Sequence, residues 1–148
     1  MSKKIFSITA VVSLLIACCL SAVGAGVNKK VLVFLNKRNT GDMVVTKVVD
    51  TLKKDGCSVK LESGAKLHGS SVSKYNAIVV FNFVAKGQKD KSVKVYAGED
   101  EQKRIVLFNA VGADYLEPES GSTDTKETKA EKLALKIVDN VKEVLLKQ

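Results

Sequence analysis

The chain has 148 residues and a formal charge of +8, with 24 Lys and Arg against 16 Asp and Glu, one Pro, no Trp and five Phe. That length holds one ordinary domain, and the composition indicates an aliphatic core rather than an aromatic binding surface. No nucleic-acid-binding motif accompanies the basic charge, and three Cys without a CxxC, beside a single His, make no thioredoxin-like or metal-ligand pattern.

The N-terminus carries the most specific signal. Lys3-Lys4 precede an apolar run from Ile5 to Ala17 that ends Leu15-Ile16-Ala17-Cys18. A positive start, a hydrophobic middle and a small-residue end define an export signal. The Leu-x-Ala-Cys ending resembles the lipobox of bacterial lipoproteins. The resemblance implies removal of residues 1–17 and acylation of Cys18, whose thiolate takes the diacylglyceryl group and whose new amino terminus takes a fatty acid such as palmitate. The protein would then sit in the bacterial cell envelope, held on a membrane by its lipid. Two other products fit the same residues. Cleavage after Val23-Gly24-Ala25 would release a soluble secreted domain, and Ile5–Val27 is long enough to stay as an uncleaved anchor.

Residues 18–28 read as the lipidated cysteine and a flexible tether, of which Cys19 to Asn28 would span ~18 Å as a random coil. Losing Lys3 and Lys4 with the leader leaves +6. A tether that short would hold basic residues near anionic headgroups, each Lys or Arg contributing ~1 kcal/mol.

The folded region is expected over 29–148. Val31–Leu35 is a short continuous apolar run, suited to a strand buried on both faces. Asn36 to Asp42 is a polar loop. Met43, Val44, Val45, Val48, Val49 and Leu52 then recur at helical spacing, with Thr40 or Asp42 able to cap the start and Gly56 suited to the left-handed residue past the end. Ser58–Glu62 alternates, which marks a strand with one wet face at a sheet edge. Ser63–Asn76 is Gly- and Ser-rich and a poor helix former, and His68 within it reads as a solvated loop residue.

Ala77–Val84 is a second buried strand. The basic loop Ala85–Lys91 follows. Ser92–Ala97 fits either a helix face or a strand face, and Gly98–Arg104 is a charged turn. Ile105–Val111 is a third apolar strand. Lys126–Lys147 is a long amphipathic helix with Ala130, Leu133, Ala134, Ile137, Val138 and Val141 on one stripe, and Asp124 is the expected cap. Cys57 opens a strand and reads as a small buried apolar residue.

The stretch KVLVFLNKRNTGDM with its following helix, together with Ala77–Val84 and Ile105–Val111, resembles the flavodoxin-like family. The resemblance implies a three-layer α/β fold of four mainly parallel strands in the order 2-1-3-4 with flanking helices. In that family the loop after the first strand reads Ser/Thr-x-Thr-Gly-Asn-Thr and wraps the phosphate of FMN. Here Thr40-Gly41 is kept, while Arg38, Asp42 and Met43 replace three hydroxyl or amide donors. No fifth strand precedes the last helix, so Ile105–Val111 becomes an edge with two apolar faces. Pairing with Ser92–Ala97 or with a second subunit would cover it.

At the carboxyl ends of the first and third strands such a sheet leaves a crevice. Lys37, Arg38, Asn39, Thr40 and Gly41 would meet there with Lys86, Gly87 and Lys89 from the second loop. That set suits an anion: a phosphate, a nucleotide or an anionic lipid headgroup. Asp42 opposes it, because its carboxylate already occupies the positive field of the helix start. No Ser-His-Asp or Cys-His set, locally spaced carboxylate pair or Walker-type loop is present, so no catalytic residue is assigned. Three functions fit: a non-catalytic envelope lipoprotein binding an anionic ligand or surface, a diverged FMN protein, and a structural envelope component that self-associates through its edge strand.

Overall fold

The computed structural model describes residues 28–36, 41–87 and 92–148. Four strands form a parallel sheet: β1 (Lys30–Leu35), β2 (Ser58–Ser63), β4 (Ala77–Val84) and β6 (Ile105–Val111), in the order β2-β1-β4-β6. This is the order expected from the sequence, and the architecture is a flavodoxin-like three-layer α/β fold. β1 lies inside the sheet, and Val31, Leu32, Val33 and Leu35 are fully buried. A central strand covered on both faces has no wet side, which is why its sequence does not alternate.

Side chains along β1 and β4 divide between two cores. Val31, Val33, Leu35, Val79 and Phe81 face helices α1 (Met43–Lys54) and α4 (Lys126–Leu146). From α1 come Val44, Val45, Val48 and Leu52, and from α4 come Ala130, Ala134, Ile137, Val138 and Val141, all buried. Each such Val, Leu or Ile contributes about 1.5–3 kcal/mol. Thr125 caps α4, its hydroxyl accepting from Thr128 N at 3.1 Å. Asp124, the expected cap, instead receives Lys132 Nζ at 2.8 and 2.9 Å.

The other face departs from three expectations. Ser63–Asn76 is not wholly loop, since it holds strand β3 (Lys66–His68) and the single-turn helix α2 (Gly69–Val72). Too short and too Gly/Ser-rich for a full helix, it still buries Leu67 and Val72 against Leu32, Phe34, Ile78 and Val80. Ser92–Ala97 resolves as strand β5 (Lys94–Tyr96), but its partner is β3 in a separate parallel pair, not β6. Helix α3 (Glu99–Gln102) is one turn long and replaces the expected charged turn.

The β6 edge is therefore uncovered on this face. Leu107 is 59% and Val111 55% exposed. The connection from β1 to β2 steps one way along the sheet and those from β2 to β4 and β4 to β6 step the other, which puts α1 on one face and the β3–β5 pair on the opposite one. Among the described residues, no helix is long and apolar enough to cross a membrane.

Candidate functional site

In a parallel sheet of this order the carboxyl ends of β1 and β4 carry loops that depart in opposite directions. Asn36 closes the base of the gap between them. Its N–H donates to Phe81 O at 3.1 Å, which extends the β1–β4 ladder by one residue. The Asn36 side chain continues in the same direction: Oδ1 accepts from Phe83 N at 2.9 Å and Nδ2 donates to Phe83 O at 3.0 Å. A side-chain amide thus substitutes for a peptide group where β1 leaves the sheet.

Asp42 stands beside this point at the start of α1. Oδ1 accepts from Val44 N at 2.9 Å and Val45 N at 3.3 Å, capping the helix. Oδ2 accepts from Tyr115 Oη at 2.6 Å, across 73 residues of sequence. Burial, then the hydrogen bond to Asp42 and its negative charge, push the Tyr115 phenol well above the usual tyrosine range. The ring of Tyr115 packs on Phe83 and Phe108 at centroid distances of 6.1 and 6.3 Å, and Phe108 meets Phe81 edge-on at 5.4 Å.

Between the ends of β4 and β6 these groups line an open cavity of about 330 Å³, bounded by Asp42, Phe83, Ala85, Gly112, Ala113 and Tyr115. Gly112, at φ +85°, donates its N–H to Val84 O at 2.8 Å and turns the chain out of β6. At the rim, Lys86 Nζ meets Asp114 Oδ2 at 3.3 Å. The backbone of Asp114 and then Lys86 hold that carboxyl below the usual range.

The expected site residues are distributed unevenly. Lys37, Arg38, Asn39, Thr40 and Lys89 lie outside the described residues, as does Cys18. Gly41 is exposed in the turn before Asp42, and Gly87 is exposed with φ +81°. Lys86 reaches the cavity rim already paired. Phe83 lines the cavity although it stands within a strand, where core packing alone was expected.

Tyr115 and Asn36 are functional-site residues that no motif singles out. Tyr115 had a readable signal, an aromatic three residues after the Gly that follows β6. Asn36 sits directly after the apolar run, a position that ordinarily says only that the strand has ended.

The described residues do not fit an FMN phosphate at this helix start. The first free N–H groups of α1 already point at the Asp42 carboxylate, and a dianionic phosphate would meet a fixed negative charge. Elsewhere, the Cys57 thiol is raised by burial and by Asp55, against the lowering effect of Lys142, so it stays protonated and a poor nucleophile near neutral pH. His68 is on β3 rather than in a loop and stacks on its register partner Tyr96 at 5.3 Å.

No protein-family model matches the chain, and comparison with curated proteins and with solved structures finds no match.

Proposed function

We propose that this chain is an exported domain, anchored to an envelope membrane by lipid on Cys18, that binds an anionic ligand or surface and performs no catalysis. The supporting pattern for export is Lys3-Lys4, the apolar run Ile5–Ala17 and Leu15-Ile16-Ala17-Cys18. The observation that carries the non-catalytic reading is the Asp42–Tyr115 pair. Among the described residues these are the titratable side chains lining the cavity, each is committed to the other, and Asp42 also caps α1. The carboxylate's oxygens are occupied by three donors, and a phenol held well above its usual range by burial and that carboxylate is a weak acid.

Anion binding rests on the loops that leave β1 and β4, with Lys37 and Arg38 in one and Lys89 in the other, because Asp114 already neutralises Lys86. Isothermal titration with inorganic phosphate and with FMN, at low and at high salt, tests it. Salt-sensitive binding that Lys37→Ala/Arg38→Ala weakens at least tenfold supports the reading. Binding indifferent to both changes removes it, and tight salt-insensitive FMN binding selects the diverged flavin protein instead.

A second reading has its own observation. The exposed Leu107 and Val111 lie on an edge strand, which suits a structural component that pairs with a second copy through β6.

A further inference from the structure

The parallel sheet gives the molecule two unlike poles. All four amino ends lie at one, and the chain from Cys18 enters there, because β1 begins at Lys30. The cavity lies at the other, where β4 and β6 end. A lipid on Cys18, with eleven residues from Cys18 to Asn28, would therefore bring the amino-end pole to the membrane and leave the cavity facing away.

The amino-end pole carries cations whose placement is set by backbone contacts, beside the carboxylates of Asp55, Glu99, Asp100, Glu101 and Glu143. Lys29 O accepts from Ser58 N at 2.9 Å, and Lys30 exchanges two hydrogen bonds of 2.8 Å with Asn76. Lys53 and Lys54 end α1, where Gly56 N returns to Lys53 O and Cys57 N to Leu52 O just before β2. Lys74 stands in the turn before β4, and Arg104 donates to Tyr75 O at 3.2 Å directly before β6. The α4 carboxyl end is held at the same pole by Asn76–Gln148 contacts and by Lys142–Asp55 at 3.0 Å.

Among the described residues, no carboxylate lies within ion-pair distance of Lys29, Lys30, Lys53, Lys54, Lys74 or Arg104. Lys103, Lys142 and Lys147 at this pole are paired, with Asp100, Asp55 and Glu143, and at the cavity end Lys86, Lys126 and Lys132 pair with Asp114, Glu117 and Asp124 while Lys129 reaches the backbone of Glu117. Lys53 and Lys54 have a local reason to be where they are, since cations stabilise a helix carboxyl end. Lys74 and Arg104 follow the single-turn helices α2 and α3, and Arg104 also holds Tyr75 O, whereas Lys29 and Lys30 stand at a strand start and have no such reason.

We infer that the amino-end pole is a docking face for an anionic bilayer surface, which holds the domain with its cavity directed away from the membrane. Unpaired cations within reach of headgroups gain attraction without first breaking protein ion pairs, and they act together within a Debye length. The inference rests on the proposed lipid anchor for its orientation, but the face itself is a property of the folded domain.

Lysine acetylation footprinting by mass spectrometry tests it on protein isolated from its own cells, mixed with vesicles of neutral lipid or of neutral lipid with phosphatidylglycerol. The same spectra report whether Cys18 is acylated. Protection of Lys29, Lys30, Lys53, Lys54 and Lys74 by several-fold on anionic vesicles only, reversed by high salt, with Lys86, Lys126 and Lys136 unchanged, supports the docking face. Uniform protection, none, or protection centred on Lys86 and Lys126 overturns it even if Cys18 is acylated. Pole-specific protection on protein lacking the acyl group keeps the docking face and removes the anchor. Replacing Lys29, Lys30, Lys53 and Lys54 with Gln should weaken anionic-vesicle binding by about tenfold or more, while the same change at Lys66, Lys94, Lys126 and Lys136 should have a much smaller effect. Equal losses in the two variants would show a net-charge effect and no docking face.

Discussion

Tyr115 donates its hydroxyl to Asp42 at 2.6 Å, and through that carboxylate the loop after β6 is tied to the start of α1. The contact joins the edge of the sheet to its centre, and it decides what the cavity between them can do. With Oδ1 on two backbone N–H groups and Oδ2 on a phenol, Asp42 holds structure instead of offering charge to a ligand.

Removing either partner should therefore cost stability. Asp42→Ala loses a helix cap and leaves Tyr115 without its acceptor, an expected loss of about 1–3 kcal/mol. Tyr115→Phe removes only the hydroxyl and should cost about 1 kcal/mol. Urea denaturation of the two single variants and the double variant measures their coupling. Additive losses would show that the hydrogen bond contributes nothing in solution.

The raised phenol has a pH consequence with a definite sign. In the unfolded chain Tyr115 ionises near its ordinary value of about 10, while in the fold it keeps its proton to higher pH. Its contribution is fully present below the unfolded value and is lost as pH rises from there through the folded one. Stability should decline above about pH 10, less steeply in Tyr115→Phe. Absorbance titration of phenolate should show a late component that this variant lacks, and a variant titrating like the parent would contradict the assignment.

Asn82 is a buried polar residue on β4, 5% exposed. Its Oδ1 accepts from Val93 N at 2.8 Å and its Nδ2 donates to Asn109 Oδ1 at 2.9 Å, so one amide anchors both the approach to β5 and the edge strand. Asn82→Ala leaves a buried N–H unsatisfied and should destabilise by about 2–3 kcal/mol. Hydrogen exchange should speed first around Val93–Tyr96. Exchange that speeds uniformly over the domain would contradict this local role.

Leu107 and Val111 test the self-association reading. If copies pair through β6, Leu107→Lys/Val111→Lys should abolish concentration-dependent dimerisation in sedimentation, with little change in stability because both side chains are more than half exposed. A protein that is monomeric at all concentrations before substitution removes that reading.

The main sheet was legible in the sequence because β1 and β4 are buried on both faces and read as unbroken apolar runs at Val31 and Ala77, because the half-exposed edge β6 is nonetheless an apolar run from Ile105, and because β2 alternates. The two long helices were legible from their 3.6-residue stripes, and Asp42 and Gly56 from cap chemistry. The second face was not. β3 and β5 have three residues each and pair with one another across 28 positions, and so short an element carries no periodicity of its own. The Asp42–Tyr115 contact was hidden for a related reason, since it spans 73 residues between two loops. Asp42 was nonetheless visible as an obstacle to an anion, from its position in the first turn alone.

The central claim is that lipid on Cys18 anchors this domain at a membrane. Intact mass spectrometry of the protein extracted from membranes of its own cells measures it most directly, in the parent and in Cys18→Ser. The account predicts a chain beginning at Cys18 that carries a diacylglyceryl group and a fatty acid, and that is lost from the membrane fraction in the variant. An unmodified chain beginning at Gly26, or one retaining Met1, would contradict it.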